Sequence, residues 1–228
     1  MTVTKTLTIT VDKAYLEDVC AGILHSMLFQ RTLGNFKPKE LAVLDVPMPA
    51  IESASIGQLV QRYAQELSAT STDRGVLALV LAETQSRRTN HWFGFGEQET
   101  TTQVPWETWI VNFNILISKS ENHKQILYTN TQNDLQKALL QILAFADERK
   151  DHIPPIMTAD LTPFPFHIVV NPPEGPPTRS GSPQSLAVAE VNRVLSGEKH
   201  QSPNSYFSAP LHSIAKRITS SNNSEENH

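Results

Sequence analysis

The chain has 228 residues, 39% of them apolar and 18% charged, with a formal net charge of −4; this fits one globular domain with or without a tail. The mild negative charge, with no basic stripe, excludes a nucleic-acid binder driven by phosphate contacts. Cys20 is the sole cysteine, which excludes a disulfide framework and a thiolate metal site.

The N-terminus, "MTVTKTLTIT", alternates threonines with Val3, Leu7, Ile9 and Val11 and reads as a strand with one apolar face. It lacks the hydrophobic region of a signal peptide. From Leu16 the rhythm becomes Leu16, Val19, Cys20, Ile23, Leu24, Met27, Leu28, one face of an amphipathic helix, with Gly34 as its stop. "LAVLDV" (41–46) is expected to be a short strand ended by Pro47 and Pro49. Ser55 with Gln58 then forms a capping box for a second helix with the face Ile56, Leu59, Val60, Tyr63, Ala64 and Leu67.

"GVLALVLAET" (75–84) is short and continuously apolar, as a buried central strand should be. Its run Val76–Ala82 is the longest of its kind in the chain and too short to cross a bilayer, so the expectation is a soluble, cytosolic protein. "WETWIVNFNILIS" (106–118) puts Trp109, Val111, Phe113, Ile115 and Ile117 on one face of a long strand. These two segments are expected to pair as an antiparallel hairpin, with "NHWFGFGEQE" (90–99) at its tip. Thr131 and Asp134 open a third helix with the face Leu135, Ala138, Leu139, Ile142, Leu143 and Ala146, followed by Pro154 and Pro155. "FPFHIVV" (164–170) is a further strand.

Beyond Val170 the composition shifts. Residues 171–184 are rich in proline and are expected to form a flexible, extended segment. Residues 185–218 contain a short helix candidate, 185–197, and enough apolar content to pack on a core formed by 1–170. The tail, 219–228, is polar and expected to be disordered. Together the segments predict an α+β domain with three helices on one face of a mainly antiparallel sheet.

Catalytic signatures are absent. There is no G-x-S-x-G elbow, Walker loop, H-E-x-x-H or G-x-G-x-x-G pattern. The histidines are scattered, with no two at ligand spacing on one element, so no metal or cofactor is expected. Cys20 lies on the apolar face of the first helix and reads as an inert buried thiol, and His25 beside it reads as a structural or interface residue rather than a catalyst. The chain therefore reads as a binding protein, not an enzyme.

The unusual feature is the loop. Trp92, Phe93 and Phe95 stand among polar residues and glycines, outside any helical or strand period. They could fold back onto the sheet, or serve as an exposed partner anchor or a membrane-interface wedge. As an anchor, each ring can bury roughly 150–250 Å² on a partner, and such aromatics dominate interface energetics. Gly94 and Gly96 let the tip adapt its shape.

The motifs "AGILHSMLFQRTLGNF" (21–36), "VPWETWIVNFNILI" (104–117) and "ERKDHIPPIM" (148–157) resemble, in order, the autophagy-related protein 101 family. The resemblance covers about residues 1–170 and implies a HORMA domain. It further implies a non-catalytic subunit of the autophagy-initiation kinase complex that pairs with the HORMA domain of autophagy-related protein 13 and stabilises it. Such a subunit is cytoplasmic and is recruited to the preautophagosomal structure. Its exposed Trp-Phe loop, the WF finger, recruits downstream autophagy factors, and the matching residues are Trp92 with Phe93 or Phe95. The family pattern places a proline between the two aromatics, whereas this chain reads W-F-G-F; Phe93 is favoured as the neighbour of Trp92. Pairing in this fold commonly uses the third helix, so Gln136, Lys137, Gln141, Phe145 and Arg149 form a candidate partner face. The alternative within the fold is a checkpoint or meiotic type HORMA adaptor that traps peptides under a C-terminal belt. The segment after Val170 is poor in β-formers, which favours a fixed, open-like form.

Overall fold

Strand β1 (Val3–Asp12) follows its period-two pattern: Leu7, Ile9 and Val11 are buried while Thr4 and Thr8 stay in water. The computed structural model describes residues 2–89, 98–158, 160 and 162–172. β1 lies parallel to β5 (Gln98–Leu116), which pairs antiparallel with β4 (Arg74–Thr89). β4 in turn takes β6 (Phe166–Val170) antiparallel on its other side, so the sheet order is β1-β5-β4-β6. The expected hairpin of the two long apolar segments is therefore present, and β4 is central and buried from Leu77 to Ala82.

Asp12 caps a 3-10 turn (Lys13–Tyr15), its carboxylate accepting from the Ala14 amide at 2.9 Å, and the chain enters α1 (Leu16–Arg31) where the spacing changed. α1 buries more than one stripe, including Gly22, His25, Ser26 and Arg31, because a second layer covers its outer side. That layer is a hairpin of β2 (Pro38–Val43) and β3 (Val46–Ile51). Gly22 makes the approach feasible: a Cβ there would lie 3.0 Å from Val43 Cγ2.

The single strand expected over 41–46 is thus two strands, and Pro47 and Pro49 lie inside β3 opposite Ala42 and Glu40. A two-stranded ladder has open edges where a missing N–H does no harm. The turn residues Leu44 and Asp45 have φ of 48° and 60°, the left-handed geometry of a tight hairpin loop, which aspartate tolerates and leucine rarely adopts. α3 (Glu121–Glu148) holds them there: the Tyr128 hydroxyl donates to Asp45 Oδ2 at 2.6 Å and Gln132 Nε2 donates to the Leu44 carbonyl at 3.0 Å.

α3 starts at Glu121, not at Thr131. Ser120 is its cap, accepting from the His123 amide at 3.2 Å, and Thr131 is buried within the helix. Asp134 reaches β1 instead, accepting from the Thr10 amide at 3.3 Å. α2 (Ala54–Thr70) is capped by Ser53, two residues before the expected cap, through the Ile56 amide at 3.4 Å. At its other end the Lys13 ammonium donates to the Ser68 and Ser71 carbonyls, a cation at the negative end of the helix dipole. All three helices pack on the face of the sheet that carries Leu77, Leu79, Trp109, Val111 and Phe113.

Two histidines are held inside this frame. Burial, followed by the nearby Lys39 charge, pushes the His25 imidazole below its usual pKa; burial alone does the same to His167, which is hydrogen-bonded to Gln103. A histidine depressed in the folded state stays neutral while the unfolded chain takes up a proton near pH 6.5. Stability should therefore be flat above about pH 6.5 and fall below it, by up to about 1.4 kcal/mol per pH unit for each such group. Urea unfolding between pH 7.5 and 5.5 checks this: His167→Gln should reduce the slope, and an unchanged slope would contradict the assignment.

Candidate partner-binding surfaces

The three sequence motifs meet at one buried carboxylate. β5 carries a bulge between its pairings Leu81–Glu107 and Ala82–Pro105, with Trp106 as the extra residue. A bulge twists the strand and re-aims side chains, and here Trp106 joins the helix-side core with Glu107. Glu107 has no exposed surface. Arg31, the last residue of α1, donates to its Oε1 at 2.7 Å, and the Trp109 indole donates to the same oxygen at 2.6 Å. His152 Nε2 lies 2.7 Å from the other oxygen. The remaining Arg31 nitrogens donate to the carbonyls of Ala146 and Arg149, at 3.2 and 3.1 Å, at the C-terminal end of α3. The Trp106 ring then packs against His152 and Phe164, at centroid distances of 5.5 and 5.2 Å.

This cluster is a brace: both Glu107 oxygens and every Arg31 nitrogen are turned to protein partners, and only the Trp106 indole N–H is buried without one. Cys20 is unreactive: burial, then the Glu17 charge, holds its thiol far above the usual range, and a protonated thiol is a poor nucleophile. Among the described residues no three His, Cys, Asp or Glu side chains are placed to hold a metal ion. No helix among them is long and apolar enough to cross a membrane.

The brace fixes the root of an arm. β1 pairs with β5 only between Glu107 and Leu116, and β6 pairs with β4 only between Leu77 and Leu81. Beyond Ala82 and Pro105 the two long strands pair with each other alone, out to Thr89 opposite Gln98. The chain between those ends is 90–97, which carries Trp92, Phe93 and Phe95 and lies outside the described residues, as do the segments expected beyond residue 172.

The candidate face on α3 is partly corrected. Gln136, Lys137, Gln141 and Arg149 are exposed. Phe145 is not: its ring stacks edge-on against Trp109 at 4.7 Å and receives the Lys5 and Arg31 cations at 5.8 and 5.9 Å. The Arg31 brace draws this part of α3 onto the sheet and carries Phe145 inward. In exchange the face gains Leu140 (66% exposed) and Leu143 (40% exposed), the latter expected in the core. Leu143 and Leu139 border an open apolar groove of about 460 Å³ with Phe29, Pro47, Met48 and Pro49. Leu140 and Leu143 thus stand exposed one helical turn apart, and spacing alone could not show that the β2–β3 hairpin would complete the groove beside Leu143.

Removing the acid should be costly. Glu107→Gln leaves Arg31 buried without its counter-charge, and an unpaired buried charge costs about 3–5 kcal/mol. Arg31→Met should destabilise similarly, while the double variant should lose clearly less than the sum, because both changes break one interaction. Urea unfolding of the three variants checks this, and additive losses would contradict the brace.

A sequence model of the autophagy-related protein 101 family matches residues 8–160. The chain is also 26% identical over 184 residues to autophagy-related protein 101 of Arabidopsis thaliana, covering 70% of this chain and 82% of that protein. It is 26% identical over 174 residues to autophagy-related protein 101 of Schizosaccharomyces pombe, covering 74% of this chain and 87% of that one.

Proposed function

This chain belongs to the autophagy-related protein 101 family, HORMA-type, non-catalytic adaptors of the autophagy-initiation complex, and on that premise we propose that it works through two separate surfaces. The outer side of α3, with Leu140, Leu143, Gln136, Lys137 and Gln141, pairs with the HORMA domain of autophagy-related protein 13 and stabilises it. The Trp-Phe loop, with Trp92 and Phe93 or Phe95 as anchors, recruits downstream autophagy factors, and the complex acts at the preautophagosomal structure. The observation that carries this reading is the two-stranded arm, which extends past both neighbouring strands toward residues 90–97. An antiparallel arm that leads to aromatics with glycines beside them suits a recognition finger, because a partner can then be met without unfolding the body.

The full pairing of β1 along β5 favours a fixed adaptor over one that traps a peptide by displacing β1, since that displacement would strip ten paired residues. Co-purification with the partner HORMA domain separates the two surfaces. Trp92→Ala/Phe93→Ala should keep the heterodimer and lose recruitment of downstream factors. Leu140→Asp should do the reverse and weaken the heterodimer by about a hundredfold, as expected for loss of a central apolar contact. Unfolding of the Trp92/Phe93 variant would instead place these rings in the core and contradict the finger.

A further inference from the structure

The helices cover one face of the sheet, yet the opposite face is buried too. Ala78 and Val80 of β4, Thr108 and Ile110 of β5, and Val169 of β6 are all buried. The register sets them side by side: Ala78 pairs with Ile110 and Val169, and Val80 pairs with Thr108 and His167. Their chain neighbours Leu77, Leu79, Trp109 and Val111 belong to the helix-side core, so this alternate set points away from it. Toward β1 the same face opens to water, with Thr4, Thr8 and Asn114 exposed. Among the described residues no helix packs on the buried part, and the β2–β3 hairpin lies on the helix side against α1. An apolar patch across three strands that is sealed from water requires a cover.

We propose that residues 185–197, "SLAVAEVNRVLSG", dock on this patch as an amphipathic helix. The exit of the chain favours this segment. β6 carries Val169 and ends at Val170; Asn171, at φ 43°, is fixed by hydrogen bonds to Val76, Thr70 and Ser71. The chain thus leaves from a strand that bears the patch. The stretch from Pro172 to Ser185 can span up to about 40 Å, against about 15 Å across a four-stranded sheet. The segment has one apolar helical face, Val188, Val191 and Leu195 flanked by Ala187 and Val194, with Glu190 and Arg193 off it. Such a helix is about 20 Å long, enough to cover the roughly 13 Å between Ala78 and Ala82 along β4. The two alanines leave room for its valine and leucine side chains, so the contact can reach core density. Because the patch lies on strands that continue into the aromatic arm, the docked segment couples the C-terminal region to the root of that arm.

Thiol labelling of the full-length chain tests the proposal. Ala78→Cys introduces a small probe under the cover, while Cys20 stays buried and unreactive. The probe should react slowly with a maleimide, and Val191→Asp/Leu195→Asp should speed the reaction at least about tenfold by opening the cover. The rate should not depend on protein concentration. Equal slow rates with and without the aspartates would mean that another part of the chain covers the patch, and would overturn the proposal. Protection that grows with protein concentration would assign the patch to a second copy and overturn it as well, as would fast labelling of the parent. Ala82→Cys provides an independent probe should Ala78→Cys fail to fold.

Discussion

A single carboxylate holds the frame together. Glu107 is fully buried, and a buried carboxylate is tolerable only when its oxygens are paired. The chain meets that demand with three side chains from distant parts of the sequence, Arg31, Trp109 and His152. Satisfying the acid therefore brings the end of α1, the middle of β5 and the turn after α3 to one place. Arg31 extends the constraint by donating to two carbonyls at the end of α3, groups that a helix terminus otherwise leaves without partners. The bulge at Trp106 belongs to the same arrangement, since without the extra residue the ring could not share a face with Glu107.

The two surfaces proposed for partners follow from this frame without being part of it. Below the bulge β5 and β4 are flanked on both sides; above it they pair only with each other. The brace thus anchors the root of the arm and leaves its far end free of the other strands. On the other side, Phe145 is drawn inward while Leu140 and Leu143 face outward, Leu143 next to the β2–β3 hairpin. A family of non-catalytic adaptors needs this separation, because partner contacts can then change without loss of the fold.

Much of the fold was legible because it rests on local periodicity. The first helix and the long strand 106–118 obey simple repeats, and the central strand is a short unbroken apolar run. The misses have local causes too. The first half of α3, "ENHKQILYTNT", is polar around most of its circumference and is helical because of its Ser120 cap and its contacts with the β2–β3 turn. That turn uses Leu44 and Asp45 without a glycine, and only the aspartate is a usual turn residue, so two strands read as one. The brace itself could not be assembled from sequence. Arg31, Glu107 and His152 each lie in a motif that carried the family resemblance, but only the fold shows that they touch. The exposure of Leu143 and burial of Phe145 depend in turn on that contact.

The central claim is that one carboxylate fastens three separated segments, and residue-resolved hydrogen exchange on Glu107→Gln tests it most directly. The account predicts a joint loss of amide protection in the last turn of α1 and the last turn of α3, with α2 unchanged, because local opening follows the cooperative unit. Loss confined to β5 around residue 107, with both helix ends still protected, would contradict it.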